Sequence, residues 1–195
     1  EATLKASGAT LVRAVCEASD GFRLRQDALK RVVTPRTRAI FLSNPNNPTG
    51  VVLNREELQI IADVAIEHDL WVVVDEVYES LCYERPHQSL ASLPGMEQRC
   101  VVIGSLSKSH AMTGWRIGWM VADAELISHA ETLALSMLYG LPGFVMEGAL
   151  AAVHAHDQVT QGMRETYRRR RDLVVARLSD CPGLSVLARS EEHTS

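Results

Sequence analysis

The stretch Gly104–Trp119, GSLSKSHAMTGWRIGW, sets one lysine among serines and follows it with an arginine eight residues on. A lysine in a pocket at a strand end loses its charge by desolvation and can then attack an aldehyde to form a Schiff base. The hydroxyls of Ser105 and Ser107, with the guanidinium of Arg116, suit a phosphate. Upstream, Asp75 and Tyr78 stand in the run DEVY, and Asn47 lies in the loop SNPNNPTG (Ser43–Gly50). A carboxylate at the end of a buried strand needs a cationic partner to remain ionised. A phenol and a neighbouring amide offer two hydrogen bonds to one oxygen. Pyridoxal phosphate carries all four complements: a pyridine nitrogen, a ring oxygen, an aldehyde and a phosphate.

These groups are far apart in sequence, so the fold must bring them together. Apolar, β-branched runs alternate with helix-period segments, which predicts an α/β fold with a mainly parallel sheet flanked by helices. Ala9–Val15 reads as a short strand, and Gln26–Val33 as a helix stopped by Thr34-Pro35. Arg38–Leu42 reads as a strand that runs into the Pro-rich loop. Asn54, with Glu57 three residues later, forms a capping-box signature, and Leu58, Ile61, Ala62 and Ala65 make one apolar stripe behind it. Leu70–Val74 is expected to be a strand buried on both faces that ends at Asp75. Val101–Gly104 ends just before Ser105, and Trp115–Val121 reads as a further strand, with Asp123 capping the next helix. Asn47, the Asp75–Tyr78 pair and the Ser105–Lys108 cluster then all fall past C-terminal strand ends, the edge where open α/β sheets bind ligands.

Gly140–Gly143 breaks the chain before a helix over Phe144–Val153. A longer helix follows over roughly Gln158–Leu178, with Tyr167, Val174 and Leu178 on one side and Arg168–Arg171 as a solvated face; Cys181-Pro182-Gly183 ends it. His154 and His156 are two apart on a helix and do not share a face, so no metal site is expected there. Trp115 and Trp119 read as strand core rather than as rings stacked on a cofactor, and His110 as an orienting or incidental neighbour of the lysine.

The 195 residues are 46% hydrophobic, enough for a real core, and carry a net charge of -4, which gives no electrostatic reason to expect nucleic acid or an anionic membrane as partner. The apolar runs are too short to span a bilayer. Cys16, Cys82, Cys100 and Cys181 are widely spaced and form no CxxC pair, which fits a reducing cytoplasm. The chain opens without Met, Glu1–Gly8 reads as the tail of a helix already under way, and Arg189–Ser195 reads as sequencing-adapter read-through, so a truncated fragment is expected. Lys5, Lys30 and Lys108 are the only lysines among 20 Lys and Arg residues, which sets Lys108 apart.

SNPNNPTG, DEVY and SLSKSHAMTGWRIGW, in that order, closely resemble the class I/II pyridoxal-phosphate aminotransferases of fold type I, from about Gly8 to Gly183. The resemblance implies a partial cofactor-binding large domain over 1–156 and the beginning of a C-terminal small domain over 157–188. It implies that Lys108 forms the internal aldimine and shuttles the proton, and that Asp75 keeps the pyridine nitrogen protonated. By the same resemblance Tyr78 and Asn47 hydrogen-bond the ring oxygen, and Ser105, Ser107 and Arg116 hold the phosphate. The implied reaction is transamination between an L-amino acid and a 2-oxo acid, by a homodimer at full length.

The family's glycine-containing phosphate loop and its substrate-carboxylate arginine have no counterpart here, so the fragment alone is expected to be inactive. No lysine or arginine lies between Arg116 and Arg164, the interval where aspartate-type enzymes place a side-chain-carboxylate arginine. The wording SHAMTGWRIGW and LYGLPGF looks closest to bacterial enzymes of the arginine–pyruvate transaminase type. Two alternatives share these residues: a pyridoxal-phosphate C–S lyase or synthase on the same fold, and an aminotransferase-like domain of a transcriptional regulator. Such regulators usually alter the first Asn of NNPTG and the serines around the lysine, and both are kept here.

Overall fold

A computed structural model describes residues 2–187. The adapter-like Arg189–Ser195 lies outside the described residues. In chain order the α-helices are α1 (Ala2–Ala6), α2 (Gln26–Lys30), α3 (Arg55–Glu67), α4 (Leu106–Ser109), α5 (Ala124–Leu138), α6 (Gly143–His154) and α7 (His156–Ser179). The strands are β1 (Ala39–Ser43), β2 (Trp71–Asp75), β3 (Cys100–Ser105) and β4 (Gly118–Val121), and they form one sheet in the order β1-β2-β3-β4. β1, β2 and β3 are parallel; β4 returns antiparallel to β3. The expected mainly parallel α/β architecture is therefore present.

The α3 N-terminus is built as its sequence signature requires. The Asn54 side chain accepts from the Glu57 amide at 2.8 Å, and the Glu57 carboxylate accepts from the Asn54 amide at 2.9 Å. Glu57 is buried, and its two oxygens also accept from the Leu24 amide and the Arg23 guanidinium, each at 2.9 Å. One carboxylate thus caps α3 and ties down the segment that leads into α2. Behind the cap, Leu58, Ile61, Ala62 and Ala65 pack on Val72 and Val74 of β2, with Leu90, Leu93 and Met96 closing the core. Leu58 is fully buried, so Leu58→Ala should lower unfolding free energy by about 3 kcal/mol through lost burial and a residual cavity. A drop in urea midpoint at unchanged slope would report this; an unchanged midpoint would contradict the core assignment.

Strand alternation divides the sheet. Ile40, Leu42, Val72, Val74 and Val102 face the α3 core. Phe41, Trp71, Val73 and Asp75 occupy the opposite face, where Phe41 is 54% and Trp71 39% exposed. The expectation that β2 is buried on both faces is thus corrected: among the described residues only its α3 face is closed. Ala9–Val15 is not a strand either. Val12 and Val15 point to solvent there, with only Ala14 packed on the core, and β-propensity makes a strand only where a neighbour supplies the ladder.

Trp115–Val121 also divides. Thr113–Trp115 is a 3-10 turn, Arg116 adopts φ 53° and ψ 48°, and the strand begins only at Gly118. A left-handed residue cannot continue an extended ladder. The tryptophans are half-exposed rather than strand core: Trp119 lies across Gly104 of β3 and Trp115 across Gly148 of α6. A Cβ at either glycine would run into the indole, so these two glycines are sites of close approach. Gln26–Val33 is helical only to Lys30, and the α6 and α7 boundaries fall within two residues of expectation. Arg171 departs from the solvated-face reading, because its guanidinium pairs with Glu84 and lies 4.8 Å from the Tyr83 ring centroid, docking α7 on that loop.

Candidate active site

The parallel register places Ser43 beside Asp75, and Asp75 beside Ile103, so β1 and β2 end at one level and β3 runs two residues further along the same edge. Alternation puts Ser43, Asp75 and Ser105 on the same face, the one opposite α3. β1, β2 and β3 each hand the chain to a turn at this edge, and each turn carries at least one of the chemistry-bearing groups.

After β1, the Ser43 hydroxyl accepts from the Asn47 amide and from Asn46 Nδ2, each at 3.2 Å, and Thr49 Oγ1 donates to Asn46 Oδ1 at 2.7 Å. Buried Asn44 accepts from the Leu53 amide at 2.9 Å. These bonds hold the Pro-rich loop in a folded shape that leaves the Asn47 side chain exposed at the sheet edge. After β2, Asp75 Oδ1 accepts from the Val77 amide at 3.1 Å, which fixes the half-buried carboxylate at the start of the turn. Asn47 Nδ2 donates to the Tyr78 hydroxyl at 3.4 Å, joining two turns 31 residues apart in sequence.

After β3, Ser105 caps the single turn of α4 by accepting from the Ser107 amide at 3.0 Å. Its hydroxyl lies 2.9 Å from that of Ser107 and donates to the Ile117 carbonyl at 3.0 Å. Lys108 is half-buried, and its Nζ stands 5.8 Å from the Tyr78 ring centroid, within cation–π range. Lys108, Tyr78 and Asn47 are therefore linked in one chain of contacts, with Asp75 at the root of the same turn as Tyr78. Arg116 reaches the same neighbourhood through the β3–β4 pairing of Ser105 with Gly118, but its guanidinium is exposed and donates back to the Thr113 carbonyl at 2.8 Å.

Two neighbours stand out: His110, already placed beside the lysine by sequence, and Glu76, which the spacing of motifs does not single out. His110 is buried, with Nδ1 2.8 Å from the Ser109 hydroxyl and its ring 5.2 Å from that of His156 on α7. Burial, and then the neighbouring His156, push its pKa below the ordinary histidine value. Glu76, directly after Asp75, is buried with its carboxylate turned toward the Leu90 amide at 3.3 Å. The sequence signal for Glu76 was its place at the end of a β-branched strand, but its partner lies in a loop with no periodicity to read.

The family model for aminotransferase class I and II matches residues 1–192. The chain belongs to the class I and II aminotransferase family. Among its relatives, the arginine–pyruvate transaminase AruH of Pseudomonas aeruginosa is 48% identical over 187 residues, covering 96% of this chain and 48% of the relative. The aspartate aminotransferase of Bacillus subtilis is 36% identical over 166 residues, covering 84% of this chain and 42% of the relative. The solved structure of Thermus thermophilus aspartate aminotransferase with maleate superposes with a TM-score of 0.86 at 32% identity, over 90% of this chain and 46% of that one. This class I and II aminotransferase chain thus spans about half the length of the curated relatives it matches.

Proposed function

We propose that the protein carrying this chain is a pyridoxal-phosphate-dependent aminotransferase that moves an amino group between an L-amino acid and a 2-oxo acid. The observation that carries this reading is the convergence of Lys108, Tyr78, Asn47 and Asp75 from three different turns at the C-terminal edge of one parallel sheet. The donor set fits the cofactor. Asp75 offers a carboxylate to a cationic ring nitrogen, and Asn47 and Tyr78 already meet each other, as two donors to a shared oxygen must. Ser105, Ser107 and Arg116 supply hydroxyls and a guanidinium from one short stretch. When bound, pyridoxal phosphate supplies an aldehyde that captures an amine and a ring that accepts the electron pair left when Cα loses its proton.

The remaining roles belong to the chain. Lys108 Nζ accepts the Cα proton when uncharged, and the Tyr78 ring and the α4 turn limit where that amine can point. Asp75, anchored by the Val77 amide, holds a negative charge where a ring cation must be stabilised. Asn47 and Tyr78 orient the ring oxygen through a pair of hydrogen bonds. Arg116 is a fork for phosphate once it leaves its own turn; Ser105 and Ser107 lie with their hydroxyls 2.9 Å apart and can both turn to the same anion.

The domain reading that goes with this proposal is a partial large domain over 1–156 and the start of a small domain over 157–188. The proposed setting is a cytoplasmic homodimer. The four cysteines are unpaired, and no helix among the described residues is long and apolar enough to cross a membrane. The 48% identity to the arginine–pyruvate transaminase makes arginine and pyruvate the first substrates to test. In the full-length protein, arginine should change the absorbance of the bound cofactor, pyruvate should reverse it, and alanine should appear in step with the 2-oxo acid derived from arginine. Release of ammonia and a 2-oxo acid without amino transfer would replace this reading with a lyase. The chain of 195 residues by itself is expected not to transaminate.

A further inference from the structure

A second polar cluster lies on the far side of the same turn. Glu76 is buried at 2% exposure, Glu79 lies three residues on at the surface, and His87 comes in from the following loop with a side chain 7% exposed. One ligand-type atom from each of the three lies within 4.8 Å of the other two. His87 Nε2 forms an ion pair with Glu76 Oε2 at 3.3 Å, although neither ring nitrogen makes a well-aligned hydrogen bond among the described residues. The imidazole instead borders a cleft of about 330 Å³ lined by Glu79, Ser80, His87, Ser89 and His156. The contact with Glu76 leaves the hydrogen bonding of the buried imidazole incomplete, and the cleft it borders brings it the exposed Glu79 carboxylate as well.

We propose that Glu76, Glu79 and His87 form a binding site for a borderline divalent cation, of which zinc and cobalt are the representatives. One imidazole nitrogen and two carboxylate oxygens are a donor set for such ions rather than for calcium or magnesium. Bonds of about 2.1 Å set tetrahedral ligand spacings near ~3.4 Å, so the cluster needs to contract by roughly an ångström or more. Glu79 is exposed and its side chain can swing to supply that movement. Glu76 is already oriented: its Oε1 accepts from the Leu90 amide, which leaves Oε2 toward the site, the kind of outer support that metal-binding carboxylates have. The cleft supplies room for water in the fourth position. The Glu76 amide donates to the Ile103 carbonyl at 2.9 Å, so a bound ion would brace the loop holding His87 against the β2–β3 edge. The site is independent of the amino-transfer reading.

The test is titration of the tag-free protein with Co2+ alone, followed by its visible absorption bands and by calorimetry. One ion per chain is expected, with intense bands of a four- or five-coordinate site. His87→Ala and Glu79→Gln should each weaken binding by about tenfold or more. Glu79 is at the surface, so its variant reports on binding even if His87→Ala disturbs the fold. His156→Ala, which removes the other imidazole of the cleft, should bind as the unaltered protein does. Absence of stoichiometric binding would overturn the proposal. Binding that survives Glu79→Gln and His87→Ala together, or that disappears with His156→Ala alone, would overturn it equally.

Discussion

Replacing Lys108 with Ala in the full-length protein should lower kcat/KM for amino transfer by at least about 10⁴-fold, the upper range for loss of a positioned proton-transfer group. The size of the effect follows from where the amine stands. Nζ is carried by a half-buried lysine on a one-turn helix whose cap is Ser105, and it stands 5.8 Å from the Tyr78 ring centroid. Water entering the space left by the alanine lacks both the basicity and the fixed position of that amine. Truncation should leave the fold intact, because Lys108 takes part in no salt bridge among the described residues and the α4 cap bonds involve Ser105 and Ser107. Two readouts separate loss of chemistry from loss of structure. Borohydride treatment should leave cofactor attached to the unaltered chain after denaturation but not to the variant. Small primary amines added to the buffer should restore part of the variant's rate. A variant that retains reducible attachment of the cofactor would remove Lys108 from its assigned place.

Asp75→Asn is the second large effect, an expected loss of about 10²–10³-fold in kcat, comparable with removing one preorganised electrostatic contact from an active site. The amide has nearly the same shape as the carboxylate, and its oxygen can still accept from the Val77 amide. The turn that carries Tyr78 should therefore keep its form. What the substitution removes is the negative charge at the centre of the sheet edge, between β1 and β3. A ring nitrogen placed against an uncharged amide binds its proton less well, so the variant should bind cofactor yet drain electrons from Cα poorly. The prediction is a fall in kcat with a shifted cofactor absorption maximum and unchanged thermal midpoint. Equal kcat in the two proteins would show that Asp75 does not meet the ring.

Much of this arrangement is legible from the chain. The β-branched runs before Ser43, Asp75 and Ser105 mark parallel strands, and a parallel sheet gathers the C-terminal strand ends at one edge, so residues just after those runs are brought near one another. The Asn54–Glu57 box is likewise local and was realised in full. The misreadings share one cause, which is that periodicity reports what a segment can pair with and not whether a partner is there. Ala9–Val15 has the composition of a strand and no ladder to join. Trp115–Arg116 has the composition of a strand and a left-handed turn imposed by the return of β4 beside Ser105. The pairing of Glu76 with the loop that carries Leu90 and His87 escaped for the complementary reason, since nothing in a loop's sequence announces which buried acid it will reach. The fold of Arg116 back onto the Thr113 carbonyl, with its guanidinium exposed, is also a detail that a phosphate-clamp motif does not encode.

Glu57 has a consequence of a different kind. Its carboxylate is shared by the α3 N-terminus, the Leu24 amide and the Arg23 guanidinium, which belong to stretches more than thirty residues apart. Detaching either stretch leaves a buried anion with fewer donors, so fraying of one raises the free energy of keeping the other closed. The segment before α2 and the first turn of α3 therefore open as one cooperative unit, and their amides should leave the hydrogen-exchange-protected state together rather than in sequence order.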